Sequence, residues 1–532
     1  MRKRQFKRIL VLVMTLAFTF TVFAVPASAK SNDKSLKVSV LSDVHLLPSD
    51  LIADSTKYRE TLKKDQKHFN ESEAILKQEL KRVKKEKPDV LLVSGDLSKD
   101  GELESHKLLA QYLKGLKKEL PKLKIYVING NHDIRNSNAY NYAKNKPATR
   151  TEPSDFKKIY NITYGDKTII ATFKPEKGEA NQLSYVAHPK KGFTVVAVDS
   201  GCYSSDNTKS GQTEHETRGN INPECRAWVV KQIAKAKKRG DTIIGLVHHG
   251  INAHFTVQPK ILKDFLVDNH EEVATEWADA GMKYVFTGHM HQQDVAEYKT
   301  ANGNKLYDIA TGSTISYPSA TRLVTFIRGN NKEVVKGKVF DNNSLKYINP
   351  QTGKKTFIKN LTKKTYDSLY GINTSLVMSL ASDFLMNKLG YVSPTIATYL
   401  NNMVNEFFDT ELLDGYDNKR FINYVYFTSM GGYDHGDNPD WYYRYIEKVS
   451  SGQMADLLES LLTKYLNELG SGIIKNIVDS IMPGLSSYLN FTPIKVVIGP
   501  RAKSALTSFV LEICDSMTND QNFIYDNAFT IK

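Results

Sequence analysis

Between Lys37 and about Val339, short apolar runs of strand length alternate with longer segments of helical period. Leu36 to Leu41, Asp89 to Val93 and Ile125 to Ile128 are rich in β-branched and aromatic residues and predict buried strands. Glu71 to Lys87 and Glu102 to Leu120 lie between them and predict helices, in βαβ order. A second series follows. Strands are predicted over Thr168 to Phe173, Leu183 to His188, Phe193 to Val198, Thr242 to Val247 and Lys283 to Phe286. Helices are predicted from Asn222-Pro223 onward and over Pro259 to Ala280. Asn302-Gly303 and Gly329-Asn330 mark hairpins, so this half ends in an antiparallel tail. The pattern predicts an α/β (α+β) architecture, a four-layer αββα sandwich.

Past Asn342 the texture changes. Asn349 to Lys364 reads as a polar linker, and helical periods follow it. Leu376, Leu380 and Phe384 share one helix face, as do Leu457, Leu458, Leu461, Leu462, Tyr465, Leu466 and Leu469, with Gly470 as C-terminal cap. Asn438-Pro439 predicts a helix start, with Asn as cap and Pro in the first turn. Asp434, His435 and Asp437 read as a polar loop rather than a further metal site. The domains expected are 1–29, 30–345 and an all-helical 346–532.

Residues 1–29 form a separate piece. Arg2, Lys3, Arg4, Lys7 and Arg8 precede an apolar run, Ile9 to Val25, that ends in Ala27-Ser28-Ala29. That is the three-part order of a secretory signal peptide with cleavage before Lys30, and the run falls short of the ~20 residues of a spanning helix. The expectation is a protein secreted, extracellular or cell-wall associated, with no stable membrane span after cleavage. Cleavage lowers the formal charge from +14 to +9. A basic surface suits anionic surroundings such as phosphate esters, although Lys81, Arg82, Lys84, Lys85 and Lys87 read as the solvated face of a helix. No nucleic-acid-binding module is evident. The three cysteines allow one disulfide at most; Cys202 and Cys225 bracket a polar loop and are either bridged or free, and Cys514 reads as a core thiol.

The chemistry gathers where predicted strands end: Asp43-Val44-His45, Gly95-Asp96, Gly130-Asn131-His132-Asp133, His248-His249 and Gly288-His289-Met290-His291. In Asp-x-His and His-x-His the two outer residues lie on the same side of an extended segment and can enter one site. Carboxylate, amide and imidazole together suit Mn, Fe or Zn rather than a thiolate-seeking ion. The donors are too many for one tetrahedral ion and enough for two ions that share a carboxylate.

In these five blocks the sequence resembles the calcineurin-like metallophosphoesterase superfamily over about Leu36 to Val339. The resemblance implies that Asp43, His45, Asp96 and His291 hold one divalent ion, and Asp96, Asn131, His248 and His289 the other. The ions expected are Mn or Fe, with Zn as the alternative. The fourth block reads His248-His249-Gly250 where the family commonly has His-x-Pro, so His248 is the implied ligand and His249 its alternative. The activity implied is phosphodiester hydrolysis by a hydroxide bridging the two ions, with His132 protonating the leaving group or, alternatively, orienting a ligand. The signal peptide, the Gly201-Cys202-Tyr203 loop and the helical extension are similar to secreted bacterial class III cyclic-nucleotide phosphodiesterases. The expected partner is thus a small phosphodiester, with His249, His254 and Tyr203 as candidate contacts. An envelope nucleotide or phospholipid head-group phosphoesterase, and a non-catalytic metal-containing surface protein, are the rival readings.

Overall fold

The computed structural model describes residues 35–329, 332–368, 394–431, 438–469, 495–518 and 528–532. The signal-like segment, Leu376, Leu380, Phe384, Asp434, His435, Asp437 and Gly470 lie outside these residues. In chain order, β1 (Ser35–Leu41), β2 (Val90–Ser94) and β3 (Lys124–Ile128) are followed by β4 (Ile169–Thr172), β5 (Tyr185–Lys190), β6 (Phe193–Val198) and β7 (Thr242–Val247). Next come β8 (Tyr284–Thr287), β9 (Asp294–Lys299), β10 (Lys305–Ala310), β11 (Ala320–Gly329) and β12 (Lys332–Asp341), and the chain ends in β13 (Thr530–Ile531). One sheet has the order β13-β12-β11-β1-β2-β3, the other β9-β10-β8-β7-β6-β5-β4. In the first sheet β1, β2 and β3 run parallel. In the second, β6, β7, β8 and β10 do. The remaining pairings are antiparallel, including both expected hairpins.

The layering follows from the strands' two-residue period. In β2, Val90 and Leu92 face the other sheet and meet Tyr185, Val195, Ile244 and Phe286 in a core between the sheets. Leu91 and Val93 point the opposite way, against Leu76, Val83, Leu109 and Leu113 of helices α1 (Ser72–Glu86) and α2 (Leu103–Glu119). On the outer face of the second sheet, Val196 and Val285 pack against Val229, Ile233, Val273 and Trp277 of α3 (Pro223–Lys238) and α4 (His270–Ala280). A strand covered on both faces needs apolar residues at every position, which is why these runs read as continuous rather than alternating. The result is the expected αββα sandwich.

The C-terminal region is helical: α5 (Pro394–Asp409), α6 (Asn418–Gly431), α7 (Asp440–Ser450), α8 (Gln453–Leu469) and α9 (Pro500–Thr518). Leu461 and Tyr465 of the predicted leucine face are buried. Several local expectations differ from the structure. Pro259 to Ala280 is not one helix: a single turn (Gln258–Ile261) and a 3-10 turn (Lys263–Phe265) precede α4. Leu266 and Val267 form bridges to Gly250 and Gly219, which take up the backbone groups a continuous helix needs. The expected linker contains half of a hairpin, Leu345–Ile348 with Lys355–Ile358, whose Leu345 and Ile358 pack beside Tyr58 and Ile75. Pro439, not Asn438, caps α7, because the Asn438 side chain accepts a hydrogen bond from the Tyr424 hydroxyl at 2.7 Å. The chain also returns to the sandwich at its end, where Ile531 pairs with Val335. Cys202, Cys225 and Cys514 are all buried free thiols. Burial pushes the Cys202 and Cys514 thiols up to about 12, out of the reactive range.

Candidate metal centre

Every expected ligand lies just beyond the carboxyl end of a parallel strand: Asp43 and His45 after β1, Asp96 after β2, Asn131 after β3, His248 after β7, and His289 and His291 after β8. Five of the seven hold left-handed backbone angles: Asp43 (φ 48°), His45 (39°), Asp96 (49°), His289 (63°) and His291 (60°). Such conformations cost a non-glycine residue ~1–3 kcal/mol and persist only where the surroundings enforce them. Here the loops are stitched to one another. Asp43 N donates to Gly95 O at 3.2 Å, His45 N to Asp96 O at 2.8 Å, and His289 N to the Asp43 carboxylate at 3.1 Å. Gly130 permits a close approach, since a Cβ there would strike Asp96 Oδ1 and lie 2.8 Å from His248 Cε1.

The donor atoms converge in overlapping groups. His291 Nε2 is 3.3 Å from both Asp43 Oδ1 and His45 Nε2, and His45 Nε2 is 3.5 Å from Asp96 Oδ2. On the other side of the same carboxylate, His248 Nε2 is 3.4 Å from Asp96 Oδ2 and 3.1 Å from Asn131 Oδ1. Three sets have ligand atoms within 4.8 Å of one another: Asp43, His45 and His291; His45, Asp96 and His132; and Asp96, His248 and His289. Outer partners fix the imidazoles. His248 Nδ1 lies 2.8 Å from Ser94 O, His291 Nδ1 2.8 Å from Ser316 Oγ, and His289 Nε2 3.2 Å from Asp264 O. A ring that donates a proton to a carbonyl keeps the lone pair on its other nitrogen, which is the nitrogen a metal binds.

The electrostatics fit cations at these positions. Asp43 and Asp96 are buried, 0% and 1% exposed, among imidazoles. Burial above all, then the Lys67 ammonium, holds His45 well below the usual imidazole range; burial, then His249 and His248, does the same to His289. A lowered pKa favours the neutral ring, the form that can ligate a metal. Burial also opposes a proton on His248, but the Asp96 carboxylate outweighs it and lifts the pKa to about 9. A cation between ring and carboxylate would replace that proton and meet the same demand for positive charge.

His132 follows a ligand in sequence and behaves differently. Its backbone N–H donates to Asp96 Oδ1 at 2.9 Å, and its ring, a quarter exposed, stands with Nε2 4.0 Å from Asp96 Oδ2. Nδ1 lies 2.9 Å from Asp100 Oδ1. Burial lowers the pKa of His132, yet Asp96 and Asp100 outweigh it and the net shift is upward. Asp100 is the functional residue that motif reading missed; its one signal is its position four residues after Asp96. Asp133, the last member of the same block, is a clasp. Its carboxylate accepts from Gly130 N (2.8 Å), Leu97 N (2.9 Å) and Ser98 N (3.0 Å), tying the Asp96 and Asn131 loops together.

The three candidate substrate contacts are placed elsewhere. His249 lies with Nδ1 2.7 Å from Ser200 Oγ and Nε2 2.9 Å from Thr217 O, while its ring packs on His289 at 4.4 Å. It is His248, not His249, that faces Asp96. Tyr203 is in the core and donates its hydroxyl to Asp199 Oδ2. His254 is buried between two carboxylates, Nδ1 2.6 Å from Asp294 Oδ2 and Nε2 3.5 Å from Asp308 Oδ1. Burial lowers its pKa, but the two carboxylates outweigh it and raise it to about 10. A raised folded-state pKa contributes stability that is fully present below the unfolded value of roughly 6.5 and is lost as pH rises through 10. His254→Ala, which removes the ring buried between the two carboxylates, is expected to cost about 3–5 kcal/mol in denaturant unfolding near neutral pH, and less as pH approaches 10.

Two ligand loops also lean on the C-terminal helices. Met290, between His289 and His291, packs with Phe421, Phe427 and Met430, and Phe255 and Val257 of the loop after His249 join the same cluster. Gln293 N donates to Met430 O at 3.0 Å, and Gln292 Nε2 to Ser429 Oγ at 3.2 Å. The helical region thus braces the side of the centre that carries His248, His289 and His291.

Residues 36–293 match the family described as calcineurin-like phosphoesterase. Over this stretch the chain is similar to that family. The protein is accordingly a metal-dependent phosphoesterase, and its His and Asp clusters fit the two metal ions of dimetal members. No curated protein matches the chain. Among solved structures, a dimetal phosphatase from Danio rerio is similar at 15% identity, covering 57% of this chain and 95% of that one with a TM-score of 0.38. A second structure is 12% identical, covering 58% of this chain and 99% of that one with a TM-score of 0.30. Likeness at this level carries no argument about substrate.

Proposed function

We propose that the protein hydrolyses small phosphodiesters, with cyclic nucleotides as the first candidates, using two divalent ions, Mn or Fe before Zn. Asp43, His45, Asp96 and His291 would hold one ion, and Asp96, Asn131, His248 and His289 the other. When bound, such a pair supplies an activated water and neutralises charge on the phosphoryl oxygens. The chain's own contribution is positional. The stitched strand-end loops hold the donors rigid, and Asp100 fixes the His132 ring so that Nε2 faces the same space as the Asp96 carboxylate. The upward shift of the His132 pKa favours the protonated ring, which can give its proton to the departing alkoxide. The observation that carries this reading is the quarter-exposed rim position of His132 between its two carboxylates, because a metal site that served structure alone has no use for a positioned acid.

Diester preference and the cyclic-nucleotide substrate are supported by the resemblance of the signal-like segment, the Gly201-Cys202-Tyr203 loop and the helical extension to cyclic-nucleotide phosphodiesterases. The Ala27-Ser28-Ala29 segment supports action outside the cytoplasm. A panel of bis-p-nitrophenyl phosphate, p-nitrophenyl phosphate, cyclic nucleotides and phosphocholine lipids tests the substrate. The expected order places the diester above the monoester and cyclic nucleotides above the lipids. Turnover of the monoester or the lipid alone would favour the envelope-phosphoesterase reading.

A further inference from the structure

A groove of about 840 Å³ runs between α1 and α2, on the outer face of the first sheet. Six lysines line it: Lys77, Lys81 and Lys84 from α1, and Lys107, Lys114 and Lys118 from α2. All six are exposed. Their spacings, i, i+4, i+7 and i, i+7, i+11, bring each set onto one helix face. Glu119 is the single carboxylate among the lining residues. The groove therefore has a local excess of five positive charges in a chain whose formal charge is +14.

A solvated amphipathic face explains why lysines point outward, but not why so few acids accompany them. Lys77 pairs with Glu73 at 2.6 Å and Lys84 pairs with Glu119. Among the described residues no carboxylate forms an ion pair with Lys81, Lys107, Lys114 or Lys118. Lys77/Lys81 and Lys114/Lys118 are like-charged i, i+4 pairs, which weaken a helix where Glu–Lys pairs would strengthen it. The sequence tolerates this twice along one groove.

We propose that the groove between α1 and α2 binds an extended, phosphate-rich linear polyanion. At 1.5 Å per residue, the lysines span ~10 Å along α1 and ~16 Å along α2, enough for several consecutive phosphates held between two basic walls. The floor argues against other anionic partners. Leu80 and Leu116 are buried and offer nothing to insert into a bilayer. Tyr112, the one aromatic residue in the lining, is half-buried, donates its hydroxyl to Glu73 at 2.5 Å and has the Lys77 ammonium 5.3 Å from its ring centroid, so a run of nucleobases finds no series of open rings to stack on. A Cβ placed on Gly115 meets nothing within 4 Å, so the channel is open along α2. The groove uses none of the metal-site residues, and its function does not depend on the catalytic reading.

The test is binding of the full chain to long-chain inorganic polyphosphate across a salt series. The wild-type protein should bind with log affinity falling against log salt at a slope of roughly −3 for four or five phosphate contacts. The triple change Lys81→Glu, Lys114→Glu and Lys118→Glu should weaken binding at least tenfold while the melting temperature holds. The Lys→Gln triple should fall between the two, and it decides the matter if the Glu variant fails to fold. Equal binding by wild type and the Gln triple would overturn the proposal. So would groove-dependent binding that is tighter to phosphatidylglycerol vesicles or to oligothymidylate than to polyphosphate.

Discussion

Asp96→Ala is expected to empty both metal positions and to reduce phosphoesterase activity to the level of the chelated protein. The Asp96 carboxylate stands 3.5 Å from His45 Nε2 on one side and 3.4 Å from His248 Nε2 on the other, so each cluster loses its shared oxygen donor in one substitution. It also receives the His132 backbone N–H, so the loop that carries Asn131 loses an anchor at the same time. Asn131→Ala is the informative contrast. Its side-chain oxygen lies 3.1 Å from His248 Nε2, in the cluster of Asp96, His248 and His289, and its loss should weaken one ion and leave the other bound. Metal analysis of both variants after gel filtration checks the difference; equal losses would mean that the two clusters do not share a ligand.

His132→Ala is expected to lower turnover by ~10²- to 10⁴-fold on a substrate with a poor leaving group, with metal content unchanged. The ring is on the rim, a quarter exposed, and Asp100 holds the nitrogen opposite the one it would use as an acid. The defect should shrink on a p-nitrophenyl ester, whose leaving group departs without a proton. Asp100→Asn should reproduce part of the effect, because it keeps the shape and removes the charge that raises the His132 pKa. Equal defects on good and poor leaving groups, or metal loss in His132→Ala, would make His132 a supporting residue.

The candidate ligands stand out in the sequence because each follows an apolar strand by one to four residues and parallel strands bring their carboxyl ends to one edge. A strand shows itself by its apolar run, and a polar knot at its end stands out against it. Partners that meet across the fold leave no such mark. Asp100 reaches His132 over 32 residues, and Ser316 reaches His291 over 25. His254 illustrates the opposite failure: near the metal ligands in sequence, it turns inward to Asp294 and Asp308 because those carboxylates need a buried cation. The docking of Met290 and Gln293 on α6 was equally hidden, since the apolar face of a helix does not say which surface it will cover. The hairpin over 345–358 was missed for a local reason. The Asn349 side chain accepts from Gln351 N and Thr352 N and makes a turn out of polar residues that otherwise read as a linker.

The measurement closest to the central claim is elemental analysis of the protein as purified, paired with activity before and after exhaustive chelation. Two divalent ions per chain, loss of phosphoesterase activity on chelation and its return with Mn are the predicted results. A single ion per chain, or full activity with none, would contradict the dinuclear account.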